Sequence, residues 1–136
     1  MRRILIDTGA IYAFVTSTDL HHTEARAFVK EFLAGHGIFV LADLVFAETM
    51  TLLKARIGAN VAIRVGMELR LNPAQMWTAL GADGENDTWA LFQQYADKEW
   101  SYTDCAILTL ARRLKITEVF AFDKHFEQMS GMARLP

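Results

Sequence analysis

Four acids in this 136-residue chain stand where an element ends or begins. Asp7 closes the run Ile4-Leu5-Ile6, Glu48 lies in the first turns of LVFAETMTLL, Asp104 follows Ser101 at the head of an apolar helix, and Asp123 follows Val119-Phe120-Ala121-Phe122. Gathered in one place, they would repel one another, and burying them unpaired is costly, so the cluster is tolerable only if some are protonated or a cation is bound. Oxygen donors without His or Cys point to a hard ion, Mg²⁺ or Mn²⁺. Such an ion lowers the pKa of water and neutralises charge on a phosphodiester under attack. Each acid also has a local use. Asp7 could cap a helix near Gly9, Asp104 could complete a capping box with Ser101, Asp123 could cap Lys124 to Met129, and Glu48 could simply favour a helix dipole.

Bringing four distant carboxylates together requires particular elements around them. Ile4 to Asp7 reads as a buried parallel strand, and Gly37 to Leu41, Gln75 to Leu80 and Glu118 to Phe122 are further strand candidates. Gly9 to Val15 reads as a short helix. Ala25, Phe28, Val29, Phe32 and Leu33 give a helix capped by Thr18 or Asp19 and ended by Gly35 and Gly37; Phe46, Met50, Leu53 and Ile57 give one that Gly58 stops; Asn60 caps another that runs through Leu71. The polar cluster Gly81 to Asp87 is expected to be a loop, before a helix with Trp89, Leu91, Phe92 and Tyr95. After Trp100 comes a helix with Ile107, Leu108, Ala111 and Leu114 on its apolar face. The alternation predicts an α/β domain, a mostly parallel central sheet with helices on both faces. Ligands of such sheets bind outside the carboxyl ends of the strands. Asp7 and Asp123 belong to two such ends, and the helices bearing Glu48 and Asp104 start at the same edge.

Composition sets the bounds. The length suits one domain spanning residues 1–136, and 52% hydrophobic against 22% charged residues favours a packed core over disordered tails. Cys105 is the only cysteine, which excludes an intramolecular disulfide or a thiolate zinc cluster and suits a reducing, cytoplasmic setting. Asp7 interrupts what would otherwise be a signal-peptide core, and no uncharged run approaches the roughly 20 residues of a membrane span. A formal net charge of -2 is a poor footprint for nucleic acid, yet neutralising four clustered acids would leave +2 on the rest, so the balance decides nothing.

Four segments together resemble a known family: Ile6-Asp7-Thr8-Gly9-Ala10, Glu48 within LVFAETMTLL, SYTDCAIL, and Phe122-Asp123-Lys124-His125-Phe126. Almost end to end, the chain is similar to PIN domains, and specifically to the VapC-type toxin ribonucleases of toxin-antitoxin pairs. The resemblance implies a three-layer α/β/α fold, a Mg²⁺- or Mn²⁺-dependent endoribonuclease, and an acidic site made by Asp7, Glu48, Asp104 and Asp123. It also implies an RNA substrate, a homodimer and an inhibiting antitoxin. Asp7 and Asp104 would be the principal ligands, Glu48 would complete the site, and Asp123, the least constant member, could act through water. Thr8, Ser101 and Thr103 fall where a small hydroxyl residue can orient a carboxylate. Gly9 departs from the pattern, which more often has Ser there. Lys54, Arg56, Arg112, Arg113 and Lys124 are candidates for substrate phosphates, with a solvated helix face as their other role.

Other constellations are weaker. His21-His22 looks like a metal pair, but adjacent residues on a helix do not face each other, and two exposed histidines are expected. Cys105 has no His and Asn partners placed for nucleophilic work, and Trp77, Trp89 and Trp100 suit packing as well as base stacking. A receiver domain would need an acidic pair after the first strand, and a haloacid dehalogenase-like phosphatase would need Asp-x-Asp. Asp7-Thr8-Gly9 provides neither. The alternative from a different class is a catalytically idle PIN-like module that binds nucleic acid or a partner.

Overall fold

Short apolar runs buried on both faces form the three central strands, and two less buried strands pair at the edges. In the computed structural model, which describes residues 1–136, the five strands are β1 (Arg3–Ile6), β2 (Ile38–Ala42), β3 (Gln75–Thr78), β4 (Glu118–Phe120) and β5 (Ala133–Leu135). They make one sheet in the order β3-β2-β1-β4-β5, and every pairing is parallel. Six helices connect them: α1 (Thr8–Val15), α2 (His22–Ala34), α3 (Asp43–Arg56), α4 (Ala59–Leu71), α5 (Gly81–Gln94) and α6 (Tyr102–Leu114). A 3₁₀ turn, Lys124–Gln128, joins β4 to β5.

Right-handed crossovers put the connections β1-α1-α2-β2 and β2-α3-α4-β3 on one face and β3-α5-α6-β4 on the other, giving three layers, α/β/α. Phe28, Phe32, Phe39 and Phe120 stack through the first face with centroid separations from 4.6 to 5.9 Å, tying α2 to β2 and β4. On this face Ile6, Ile11, Phe14, Leu33, Val65 and Leu69 line an apolar cleft of about 380 Å³ beneath α4. Because β1 lies between β2 and β4, the strand order reverses beside it. Its carboxyl end is the topological switch point, where such sheets place their ligand sites.

Several sequence expectations are corrected. Gly81 to Asp87 is not a loop but the first half of α5. Its Gly84 permits close approach: a Cβ there would meet the Arg113 guanidinium at 2.4 Å and Leu80 at 2.9 Å, and one turn on Thr88 bonds Thr109 of α6 at 2.8 Å. The cap of α4 is Gly58, with φ at +132°, and Asn60 falls inside the first turn. His21 occupies the cap position of α2, while Asp19 accepts from the His21 N–H at 2.8 Å. Strand β5 had no apolar signal; it is recruited to the sheet edge by backbone pairing with β4. No helix is long and apolar enough to cross a membrane.

Candidate metal centre

The chain delivers Asp7 by ending β1 and starting α1 within one residue. The Asp7 N–H still pairs with the Phe120 carbonyl at 3.0 Å, and its carbonyl already accepts from Ala10 and Ile11. The backbone is therefore fixed, while the carboxyl makes no capping bond to α1. It is buried, and burial, together with repulsion from Asp104, Glu48 and Asp123, pushes its pKa up to about 7; the Thr8 backbone N–H opposes this. Asp104, Glu48 and Asp123 thus all act electrostatically on Asp7.

Asp104 sits across the switch point at the head of α6. Ser101 Oγ accepts from the Asp104 N–H at 3.0 Å, and Asp104 Oδ2 accepts from the Ser101 N–H at 2.9 Å, a complete capping box. Ser101 is the cap, and the site residue Asp104 is its box partner in the first turn. One carboxylate oxygen closes the box, leaving Oδ1 without a protein hydrogen-bond donor. Thr103, one residue earlier, donates its hydroxyl to Glu48 Oε2 at 2.8 Å, joining α6 to α3 across the site. Thr8 is buried beside Asp7, and its Oγ1 has no partner in the protein.

Asp123 caps the 3₁₀ turn by accepting from the His125 N–H at 2.8 Å. His125 is the residue absent from the sequence expectations. Its Nδ1 donates to Asp104 Oδ2 at 2.9 Å and lies 3.3 Å from Asp123 Oδ1. The Asp104 hydrogen bond, helped by the charges of Asp123, Asp104 and Glu99, raises its pKa above the ordinary imidazole value. Donor atoms of Asp104, Asp123 and His125 all lie within 4.8 Å of one another, the tightest group of potential metal ligands in the molecule. The signal for it was the i, i+2 spacing of Asp123 and His125. Only the cap geometry turns that spacing into one site.

These donors fit a divalent cation. A buried, repelled carboxyl with no hydrogen-bonded cap, a free oxygen on Asp104 and an orphaned hydroxyl on Thr8 are groups that lack a positive partner. Of the cations proposed for phosphates, Lys124 alone adjoins the cluster, exposed beside Asp123. Lys54 and Arg56 lie in the last turn of α3, about 9 and 12 Å along the axis from Glu48, with Arg56 over the Tyr12 ring at 5.4 Å. Arg112 is about 12 Å along α6 from Asp104. Arg113 is occupied by the Leu80 carbonyl at 3.0 Å. The two adjacent histidines are not exposed as expected: His21 stacks on Phe122 at 4.4 Å and His22 bonds the Ala13 carbonyl at 2.8 Å. Cys105 is buried, and burial raises its thiol pKa further, so it stays protonated. Trp100 is in the core, donating to Gln128 at 2.9 Å, whereas Trp77 and Trp89 are exposed.

Comparison with known proteins agrees with this architecture. The family model described as PIN domain matches residues 4–132. The 23S rRNA-specific endonuclease VapC20 of Mycobacterium tuberculosis is 25% identical over 123 residues, covering 90% of this chain and 91% of that protein. The crystal structure of the same M. tuberculosis toxin, described as cleaving the sarcin-ricin loop, superposes with a TM-score of 0.81 at 25% identity over 92% of this chain and 93% of that one. A second solved structure, VapBC2 from Rickettsia felis bound to a promoter DNA fragment, shares the fold with a TM-score of 0.69 at 10% identity, covering 98% and 97%.

Proposed function

The chain belongs to the PIN-domain family, and on that premise we propose that it is a Mg²⁺- or Mn²⁺-dependent endoribonuclease, the toxin of a toxin-antitoxin pair. The observation that carries the reading is Asp7: a buried carboxyl with no capping partner, opposed by three other acids at the switch point. A cation relieves that opposition. When bound, the ion neutralises charge on the scissile phosphodiester and acidifies the attacking water.

The protein's own groups prepare the site. Asp7 and Asp104 are the principal ligands, with Glu48 and Asp123 completing the set. Ser101 locks the Asp104 rotamer through the capping box, and Thr103 holds Glu48 against α6. Such fixed donors need not reorganise as charge develops in the reaction. Lys124, exposed next to Asp123, meets a substrate phosphate. RNA is the substrate class, supported by the likeness to a 23S rRNA-specific endonuclease. The same reading includes an inhibiting antitoxin, a homodimer and a cytoplasmic setting. Exposed apolar residues on α4 (Ile63, Met67, Leu71) and α5 (Trp89, Phe92) offer surfaces for such protein contacts.

The test is cleavage of structured RNAs, 23S rRNA and its isolated sarcin-ricin stem-loop among them, by the purified chain with Mg²⁺ or Mn²⁺. Activity that disappears with chelator and in Asp7→Asn is expected. Cleavage undiminished in Asp7→Asn, or none with any RNA and either metal, would leave the idle binding module as the better reading.

A further inference from the structure

We infer that His125 is a direct nitrogen ligand of the metal, making the centre a mixed nitrogen and oxygen site that selects Mn²⁺ over Mg²⁺. This deepens the metal-dependent reading above and rests on it. Three observations support it. First, the tightest donor group is Asp104, Asp123 and His125, not an all-carboxylate set. Second, the spacing fits. His125 Nδ1 is 2.9 Å from Asp104 Oδ2 and 3.3 Å from Asp123 Oδ1. Adjacent ligands of an octahedral ion with bonds of about 2.1 Å stand about 3.0 Å apart, so both separations suit neighbouring positions on one ion. Third, the donors are held in place without the ion: the His125 N–H is bonded to Asp123 at 2.8 Å, and the adjoining Phe126 is fully buried.

The arrangement leaves orbitals for the ion. Asp104 Oδ2 keeps its bond from the Ser101 N–H and has a second lone pair to offer. Imidazole binds as the neutral ring, using the Nδ1 lone pair with the hydrogen on Nε2. On loading, Nδ1 releases its hydrogen to solvent and gives up its bond to Asp104 Oδ2, freeing a lone pair on each atom for the ion. Mn²⁺ is also a hard ion, but as a first-row transition metal it gains more from one nitrogen donor than Mg²⁺, which keeps to oxygen.

Pulsed electron paramagnetic resonance of the full chain loaded with Mn²⁺ tests this, because directly bound imidazole imprints a ¹⁴N coupling on the ion. The wild-type protein is expected to show that coupling and His125→Gln to lose it, with His125→Ala as the second variant and circular dichroism confirming that each is folded. By calorimetry Mn²⁺ affinity should fall about tenfold in the variant while Mg²⁺ affinity changes by no more than about twofold. Mn²⁺ bound without nitrogen coupling, coupling that persists in the variants, or equal losses for both ions would overturn the assignment, the last by showing that His125 only positions Asp104. Those outcomes leave the metal-dependent ribonuclease standing. Failure of Mn²⁺ to bind at all removes both.

Discussion

Two helices start at the same edge of the sheet with an aspartate at the cap or in the first turn, and they treat it differently. At the head of α6, Asp104 and Ser101 exchange both bonds of a capping box, and Asp104 also accepts from His125. At the head of α1, Asp7 has the cap position and no side-chain capping bond. Burial does not separate them, since Asp7 is 7% and Asp104 6% exposed. What separates them is hydrogen bonding: the Asp104 carboxylate is supported by the Ser101 N–H and an imidazole, whereas Asp7 meets desolvation and three like charges with only the Thr8 backbone N–H opposing them. Asp43, at the end of β2, is a third case; its Oδ1 accepts from Leu44 and Leu80 N–H groups at 2.9 and 3.2 Å and is used up in holding α3 to α5. An acid at a strand end is thus available for chemistry only when local structure leaves it unsatisfied.

The largest test of that contrast is Asp7→Asn. RNA cleavage should fall by roughly three orders of magnitude, as when a preorganised charge-stabilising group is removed. The metal-free variant should nevertheless melt higher than wild type at pH 7 to 8, because a neutral amide removes the buried repulsion. Asp104→Asn should melt lower, having lost its box and its His125 partner. If both variants move the melting temperature the same way, the contrast fails.

A second effect follows from pH. Asp7 titrates near 7 when folded and near 3.8 when exposed, so between those values the native state binds more protons than the unfolded state. Stability of the metal-free protein therefore declines as pH rises from about 4 through 7. His125 adds the same sign above its ordinary 6.5, since its raised folded pKa gives stability that is lost as pH climbs through it. Melting curves across this range should show the decline, and Asp7→Asn should flatten its acidic part. Saturating Mn²⁺ at pH 7.5 should restore stability, by about 2.7 kcal/mol at a hundredfold excess over Kd.

Smaller effects separate support from ligation. Ser101→Ala should cost about 1 kcal/mol through the lost cap, read as a shift of a few degrees in Tm, with Mn²⁺ affinity down severalfold as Asp104 gains freedom. Thr103→Ala should change stability by less than about 0.5 kcal/mol, because Glu48 is solvent-exposed, and lower kcat only a few-fold. A Thr103→Ala loss as large as that of Asp7→Asn would put the catalytic weight on the wrong side of the site.

Most of the scaffold was legible in the chain because its signals are local. RILI, IFVLA and EVF are apolar runs too short for helices, and α2 has a clear apolar period; α3 has little, and its buried stripe is Val45, Thr49 and Leu53 rather than the predicted Phe46, Met50, Leu53 and Ile57. Segment 81–87 misled because Gly81, Asp83, Gly84 and Asp87 have a loop's composition; its helix is imposed by contact with α6, where Gly84 is needed by Arg113 and Leu80. β5 escaped because an edge strand of three residues is held by pairing rather than by its own side chains. Among the candidate site residues, Asp7, Asp104 and Asp123 were legible at the ends of elements and Glu48 in the first turns of a helix. The role of His125 was not, since it depends on a 3₁₀ turn that swings a ring back onto a helix 21 residues earlier.

The sequence by itself determined which carboxylates stand at element ends, because strand and helix boundaries follow from hydrophobic period and turn chemistry, and parallel topology then sends those ends to one edge. Only the tertiary structure decided which acid is satisfied and which is not. That depends on side chains brought together across the sheet: Thr103 onto Glu48, His125 between Asp104 and Asp123, and none of them onto Asp7. Local patterns fix the position of a charge, whereas its energy is set by neighbours distant in the chain.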